Sequence, residues 1–108
     1  MQHELTDAPR ALDAIAHAIQ NKRVIAATYN GARIELCPHE LFVRDQSMFL
    51  RAFNPNKSRR HDEEPSLGKF NIAGMSEVTL SGRMFSPLPS FGKAEGTGEQ
   101  SIVSVLDA

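Results

Sequence analysis

The sequence predicts a mainly β fold with one N-terminal helix, built as a small antiparallel barrel or a strongly curved sheet. Two observations lead to this class. One amphipathic helical pattern is followed by about five short runs with strand-like alternation, and turn signals join several neighbouring runs. Short, locally connected antiparallel strands must curve or close to bury a shared apolar face. We expect the helix to cap or flank one open end.

The composition is that of one globular domain. The 108 residues are 41% hydrophobic and 23% charged, and the formal net charge is -1. A near-neutral chain does not hold nucleic acid by bulk electrostatics, although a local basic patch stays open. We predict a single domain over residues 1–91, with its capping helix at about 8–21. A flexible linker and a short β-prone tail should follow over residues 92–108.

The chain shows no export or membrane signal. The segment Met1–Leu5 has neither a basic nor an apolar region of the kind that a signal peptide needs. No apolar stretch approaches the roughly 20 residues that span a bilayer. The single cysteine, Cys37, excludes an intrachain disulfide, as suits a reducing compartment. These features predict a soluble cytoplasmic protein.

The helix is predicted from about Ala8 to Asn21. Asp7 would be its N-cap, and Pro9 would fall in the first turn, where its missing N–H costs nothing. Apolar residues recur at helical spacing on one face, at Leu12, Ile15, Ala16 and Ile19. The opposite face carries Arg10, Asp13, His17 and Gln20.

The first hairpin follows directly. Lys22–Tyr29 is rich in β-branched and aromatic residues and is typical of a strand. Asn30-Gly31 predicts a type I′ turn, because both central residues of that turn need positive φ. The return strand covers Ala32–Cys37, and Pro38 then marks a bulge, a sheet edge or a strand break.

The stretch Leu36–Phe53 lies at the centre of the predicted sheet. Leu41–Arg44 resumes as strand, Asp45-Gln46 is a turn, and Ser47–Phe53 is the third strand. Alternation places Met48, Leu50 and Ala52 on one face and Phe49, Arg51 and Phe53 on the other.

The remaining segments are shorter. Asn54–Ser66 predicts an exposed loop, in which a basic run (Lys57, Arg59, Arg60) is followed by a neutralising acidic run (Asp62, Glu63, Glu64). Leu67–Ala73 predicts a fourth strand that Gly74 ends, and Glu77–Ser81 a fifth. The tail Ser101–Leu106 would fray or add to a sheet edge of this chain or another.

Catalytic and metal-binding patterns are missing from the sequence. Cys37-Pro38-His39 brings a thiol and an imidazole together, but no third residue occupies an orienting position. A half-buried structural thiol is the favoured interpretation. The histidines have no metal-ligand spacing, and the glycines do not match a phosphate-binding loop. We therefore predict no enzyme, no cofactor and no metal.

The face that bears Phe49, Arg51 and Phe53 has two interpretations. An arginine among aromatic side chains on a sheet is a platform for stacking bases and pairing phosphates. Alternatively, the phenylalanines belong to the core and Arg51 extends along them to the surface. The pattern leaves both open.

Several of these features together resemble the WYL domain of bacterial regulators. They are Ala14-Ile15, Arg23-Val24 leading to Tyr29, Pro38-His39 with Leu41, the closing Met84-Phe85, and the triplet Met48-Phe49-Leu50, where the family has Trp-Tyr-Leu. Gly68–Met75 stands in place of the family's Arg-x-Phe-x-Leu-x-Arg-Ile signature. The resemblance covers roughly Leu12 to Pro87 and indicates a divergent, free-standing WYL-like protein.

The resemblance implies an SH3-like or Sm-like β-barrel and a regulatory role. Family members commonly act as ligand sensors, and several bind nucleic-acid or nucleotide ligands through a basic pocket. By position, the pocket here would be lined by Tyr29, His39, Phe49, Arg51 and Lys69. Lys69, one position after the place of the first signature arginine, replaces that residue: it keeps the positive charge but cannot bind a phosphate in a bidentate way. Gly74 replaces the second signature arginine and carries no charge.

Two functions are therefore predicted as alternatives. The first is a non-enzymatic ligand-sensing or regulatory module for single-stranded nucleic acid or a nucleotide-like anion. The second is a protein-interaction or self-assembling module without a small ligand, whose partner is another copy or a regulatory protein. The sequence indicates no membrane partner.

Overall fold

The computed structural model describes residues 3–56, 67–89, 91–92 and 98–107; for residues 3–9 and 107 it describes the backbone only. The regular elements are α1 (His3–Asn21), β1 (Arg23–Tyr29), β2 (Ala32–Arg44), β3 (Ser47–Phe53), β4 (Gly68–Asn71), β5 (Met75–Met84) and β6 (Gln100–Ser104). Short 3-10 turns follow β4 at Ile72–Gly74 and β6 at Val105–Asp107. The predicted loop with its basic and acidic runs lies almost wholly outside the described residues.

Helix α1 is longer than predicted. It begins at His3, so Asp7 is not its N-cap and Pro9 lies inside it rather than in its first turn. Glu4 and Leu5 have high helix propensity and favour this extension, although an internal proline removes one backbone hydrogen bond and strains the preceding turn. The predicted apolar stripe is confirmed around Ile15 and Ile19, both fully buried.

The strands form one antiparallel sheet in the order β4-β3-β2-β1-β5, with β6 also paired to β2. Among the described residues β4 and β5 do not pair with each other, so the sheet is open and the predicted barrel closure is not confirmed. The mainly β composition and the single helix are confirmed. Strand β2 joins the two halves, because its first part pairs with β1 and its second part pairs with β3 and β6.

Both predicted turns are confirmed. Asn30 and Gly31 have φ of 51° and 86°, as a type I′ turn requires, and Asp45 and Gln46 have φ of 52° and 67°. Pro38 does not end β2. The register against β3 shifts between Pro38 and Glu40. Of the predicted bulge, sheet edge or strand break, the bulge is therefore confirmed.

The later strands differ in their limits from the prediction. β4 ends at Asn71, whose side-chain oxygen accepts a hydrogen bond from the Ala73 N–H at 2.9 Å and starts the 3-10 turn. β5 begins at Met75, before the predicted Glu77. The predicted C-terminal tail forms β6, which pairs with β2 of its own chain. Val105, directly after β6, is buried.

The core lies between α1 and one face of the sheet. It consists of Ile15, Ala18 and Ile19 of the helix with Ile25, Ala27, Leu36, Leu41, Leu50, Ala52, Met75 and Val105. Leu50 and Ala52 thus point inward as predicted, and the intervening residues of β3 point to the other face. In the part of the chain that the structure describes, no helix qualifies as a membrane-spanning segment.

Candidate ligand-binding face

The outward side of β3 and its neighbours carries an arginine between aromatic and charged side chains. Phe49 is opposite Phe42 of β2 and Asn71 of β4, and Arg51 is opposite Glu40 of β2 and Lys69 of β4. Side chains of register partners project from the same face of a sheet. We call these residues the arginine face: Glu40, Phe42, Phe49, Arg51, Lys69 and Asn71.

Arg51 lies between two carboxylates. Its Nη2 donates to Glu99 Oε1 at 3.0 Å, and its Nε lies 3.6 Å from Glu40 Oε1. Glu40 is fully buried, the Glu99 side chain is 7% exposed, and the Arg51 side chain is 17% exposed. The guanidinium carbon also lies 4.2 Å from the centre of the Phe42 ring, a cation–π contact. Arg51 is therefore engaged by this chain's own acidic groups.

The aromatic residues of this face are layered. Phe42 is fully buried, and Phe49 stacks on it with 5.6 Å between the ring centres and 23° between the planes. Phe49 is partly exposed and Lys69 is exposed. The two interpretations of the face are thus both partly realised: one ring is packed inside, while the neighbouring ring and a lysine reach solvent.

Tyr29 lies on the other side of β4. Its ring meets Phe70 edge-on at 5.2 Å, and its hydroxyl accepts a hydrogen bond from the Asn71 N–H at 3.2 Å. Phe70 is opposite Leu50, whose side chain is in the core. The structure therefore places Tyr29 beside the core, apart from Arg51 and Lys69.

His39 is fully buried. Its Nε2 lies 3.0 Å from the Leu88 N–H, which can only donate, so Nε2 accepts and Nδ1 carries the proton. Nδ1 in turn donates to the Cys37 carbonyl oxygen at 2.8 Å. The rings of Phe85 and Phe91 each lie 5.2 Å away. Burial lowers the pKa of His39, so this packing favours a neutral ring.

Cys37 is also buried, and His39 bonds its backbone carbonyl rather than its thiol. Burial, opposed in part by Arg83, raises the pKa of the Cys37 thiol to about 11. Such a thiol is protonated at neutral pH and is a poor nucleophile. Among the described residues, no group of three or more His, Cys, Asp or Glu side chains could hold a metal ion.

Gly74, where the WYL signature has an arginine, is packed closely. A Cβ built there would lie 2.9 Å from Asn30 Oδ1 and 3.4 Å from the Tyr29 ring. The backbone carbonyl of Gly74 also accepts the Asn30 N–H at 3.2 Å. Any side chain at this position therefore requires the Asn30 side chain to move, which is a steric reason for a glycine here.

Of the five predicted site residues, the structure brings together Phe49, Arg51 and Lys69. Sequence reasoning missed Glu40 and Glu99. Glu40 could have been assigned to the arginine face by alternation with Phe42, once a bulge was placed at His39. Glu99 lies in the predicted linker and carries no local signal, because its contact with Arg51 spans 48 residues.

Comparisons with known proteins show a likeness of fold. No protein-family model matches the chain, and no curated protein matches it. Among solved structures, the chain is similar to part of proteasome accessory factor B/C (PafBC) of Arthrobacter aurescens, with a TM-score of 0.65 and 17% sequence identity. The match covers 78% of this chain and 13% of that chain. PafBC contains WYL domains, so the match gives weak support to a WYL-like fold.

Proposed function

We propose that the chain is a non-enzymatic regulatory binding module whose arginine face takes a nucleic acid or a nucleotide-like anion. The observation that carries this proposal is the direct pairing of Arg51 and Lys69 across β3 and β4, beside the partly exposed ring of Phe49. Two neighbouring cations and an aromatic surface are the groups that single-stranded nucleic acids require. The WYL resemblance points to the same ligand class.

The three side chains would have separate tasks. Lys69 is exposed and meets a phosphate first, as a flexible point charge. Phe49 offers a ring face or edge to a base, supported from below by Phe42. Arg51, held by Phe42 and Glu40, would form the inner contact with the anion. Tyr29 and His39 are left out of this site, because one lies beside the core and the other is buried and hydrogen-bonded.

The test compares the binding of a labelled oligothymidylate by the wild type and by a Lys69→Gln variant. Lys69 is exposed, so its replacement leaves the packing intact. Arg51→Ala is a poorer first choice, since it removes the arginine from the buried Glu40 and is expected to cost about 3 kcal/mol of stability. Unchanged affinity in Lys69→Gln removes the proposed site.

A second function, self-assembly, is favoured by a different surface. Leu80 and Met84 of β5 are 44% and 67% exposed. β5 pairs only with β1 among the described strands, so its other edge is open to another strand. If this edge joins two copies, Leu80→Lys with Met84→Lys lowers the mass measured by light scattering. Gln20→Lys, on the exposed face of α1, is the control. A monomeric wild type contradicts this alternative.

A further inference from the structure

Glu99 occupies the arginine face in the way that an anionic ligand would. Its carboxylate is nearly buried and accepts from Arg51 Nη2 at 3.0 Å. Arginine binds carboxylate and phosphate through the same donors, so both anions compete for one position. The two carboxylates of Glu40 and Glu99 also balance the charges of Arg51 and Lys69. With Glu99 in place, an incoming phosphate meets a neutral cluster instead of a positive one.

The position of Glu99 depends on β6. The residue directly precedes this strand, which pairs with β2 through four register positions from Val43↔Gln100 to Glu40↔Ser104. The strand has five residues, and Ile102 is left out of the register and is 51% exposed. Val103 packs against the core, and Ser104 and Val105 at the end of this segment are buried, so β6 is anchored mainly at the end remote from Glu99. A short edge strand anchored at one end opens more readily than the central strands of a sheet.

We propose that Glu99 and β6 form a built-in competitor of the anionic ligand, so that the ligand binds Arg51 only after Glu99 has been displaced. This inference rests on the proposed function of the arginine face. In the closed state Glu99 holds Arg51. In the open state Arg51 and Lys69 face the ligand together, with Glu40 alone opposing them. Ligand binding and β6 docking are therefore mutually antagonistic.

The first experiment measures the binding of a fluorescein-labelled oligothymidylate of about 15 nucleotides by fluorescence anisotropy. Glu99→Gln keeps the shape of the side chain and removes its charge. We expect this variant to bind at least about fivefold more tightly than the wild type. Asp13→Asn, an equal charge change on the exposed face of α1, controls for net charge and should bind as the wild type does. Equal gains in both variants would overturn the proposal.

The second experiment needs no ligand. Hydrogen exchange of the amides in residues 100–104 should be faster in Glu99→Gln than in the wild type, and unchanged in Asp13→Asn. Adding the oligothymidylate to the wild type should also speed exchange in this segment. Unaltered exchange in Glu99→Gln shows that Glu99 does not hold β6, and protection on ligand binding shows that β6 stays docked. Either result contradicts the competitor.

The two proposals fail differently. If the wild type binds and Lys69→Gln weakens binding, while Glu99→Gln binds no more tightly than the wild type, the competitor is wrong and the site stands. If neither the wild type nor Glu99→Gln binds, the proposed function fails and the competitor falls with it.

Discussion

His39 ties strand β2 to the segment that leaves the sheet after β5: its Nε2 accepts the Leu88 N–H at 3.0 Å. The same ring donates from Nδ1 to the Cys37 carbonyl, so both nitrogens are used and the proton is fixed on one of them. Protonation would place a second donor against the Leu88 N–H. The WYL resemblance assigns this histidine to a ligand pocket, whereas its surroundings give it a structural task.

The first prediction concerns pH. Burial lowers the pKa of His39 below its ordinary 6.5, and the unfolded chain therefore binds this proton more readily than the folded chain. The stability that neutral His39 contributes is present above pH 6.5 and is lost as the pH falls from there through the folded-state pKa. Urea unfolding at several pH values from about 7.5 to about 5 checks this.

Two variants separate His39 from other groups in that experiment. His39→Gln cannot titrate, so the free energy of unfolding should depend less on pH in this range. His17→Gln, on the exposed face of α1, should keep the wild-type dependence. The same slope in wild type and His39→Gln would assign the effect to another residue.

The second prediction concerns Gly74. Gly74→Ala should lower the free energy of unfolding by about 1–2 kcal/mol, because its Cβ meets Asn30 Oδ1 at 2.9 Å. Gly82→Ala is the control, since a Cβ there has nothing within 4 Å. Adding Asn30→Gly to Gly74→Ala removes the clashing oxygen and should restore part of the loss. If the double variant loses as much free energy of unfolding as the two single variants together, the clash is not with Asn30 Oδ1.

The third prediction concerns Cys37. Its pKa of about 11 and its burial predict that the native thiol reacts with Ellman's reagent on the order of 100-fold more slowly than the thiol of the unfolded chain. Release of thionitrobenzoate with and without urea measures the two rates. Comparable rates for the native and the unfolded chain would instead support a reactive cysteine, as the Cys37-Pro38-His39 sequence first suggested.

Features set by neighbouring residues were predictable from the sequence. Asn30-Gly31 and Asp45-Gln46 specify tight turns by their own conformational preferences, and alternation along β3 separates Leu50 from Arg51 correctly. Each of these depends on chain positions only one or two residues apart. The same reasoning identified Phe49 and Arg51 as residues of one face, whereas Lys69 was added to them only by the WYL resemblance.

Features set by distant residues were not predictable in this way. The docking of β6 on β2, and with it the Glu99–Arg51 ion pair, brings together residues that are far apart in the sequence. The burial of His39 depends on Phe85 and Phe91, which come from beyond β5. Periodicity cannot report such contacts. It could not decide barrel closure either, since strand number does not fix how the outer strands meet.

The binding of the labelled oligothymidylate as a function of salt tests the proposed site most directly. Lys69→Gln should weaken binding about threefold and reduce the slope of log affinity against log salt by about one, because one phosphate contact is lost. Arg10→Gln, an equal charge change on α1, should match the wild type. No binding by either the wild type or Glu99→Gln, or the same affinity and slope in Lys69→Gln, would contradict an anion site on the arginine face.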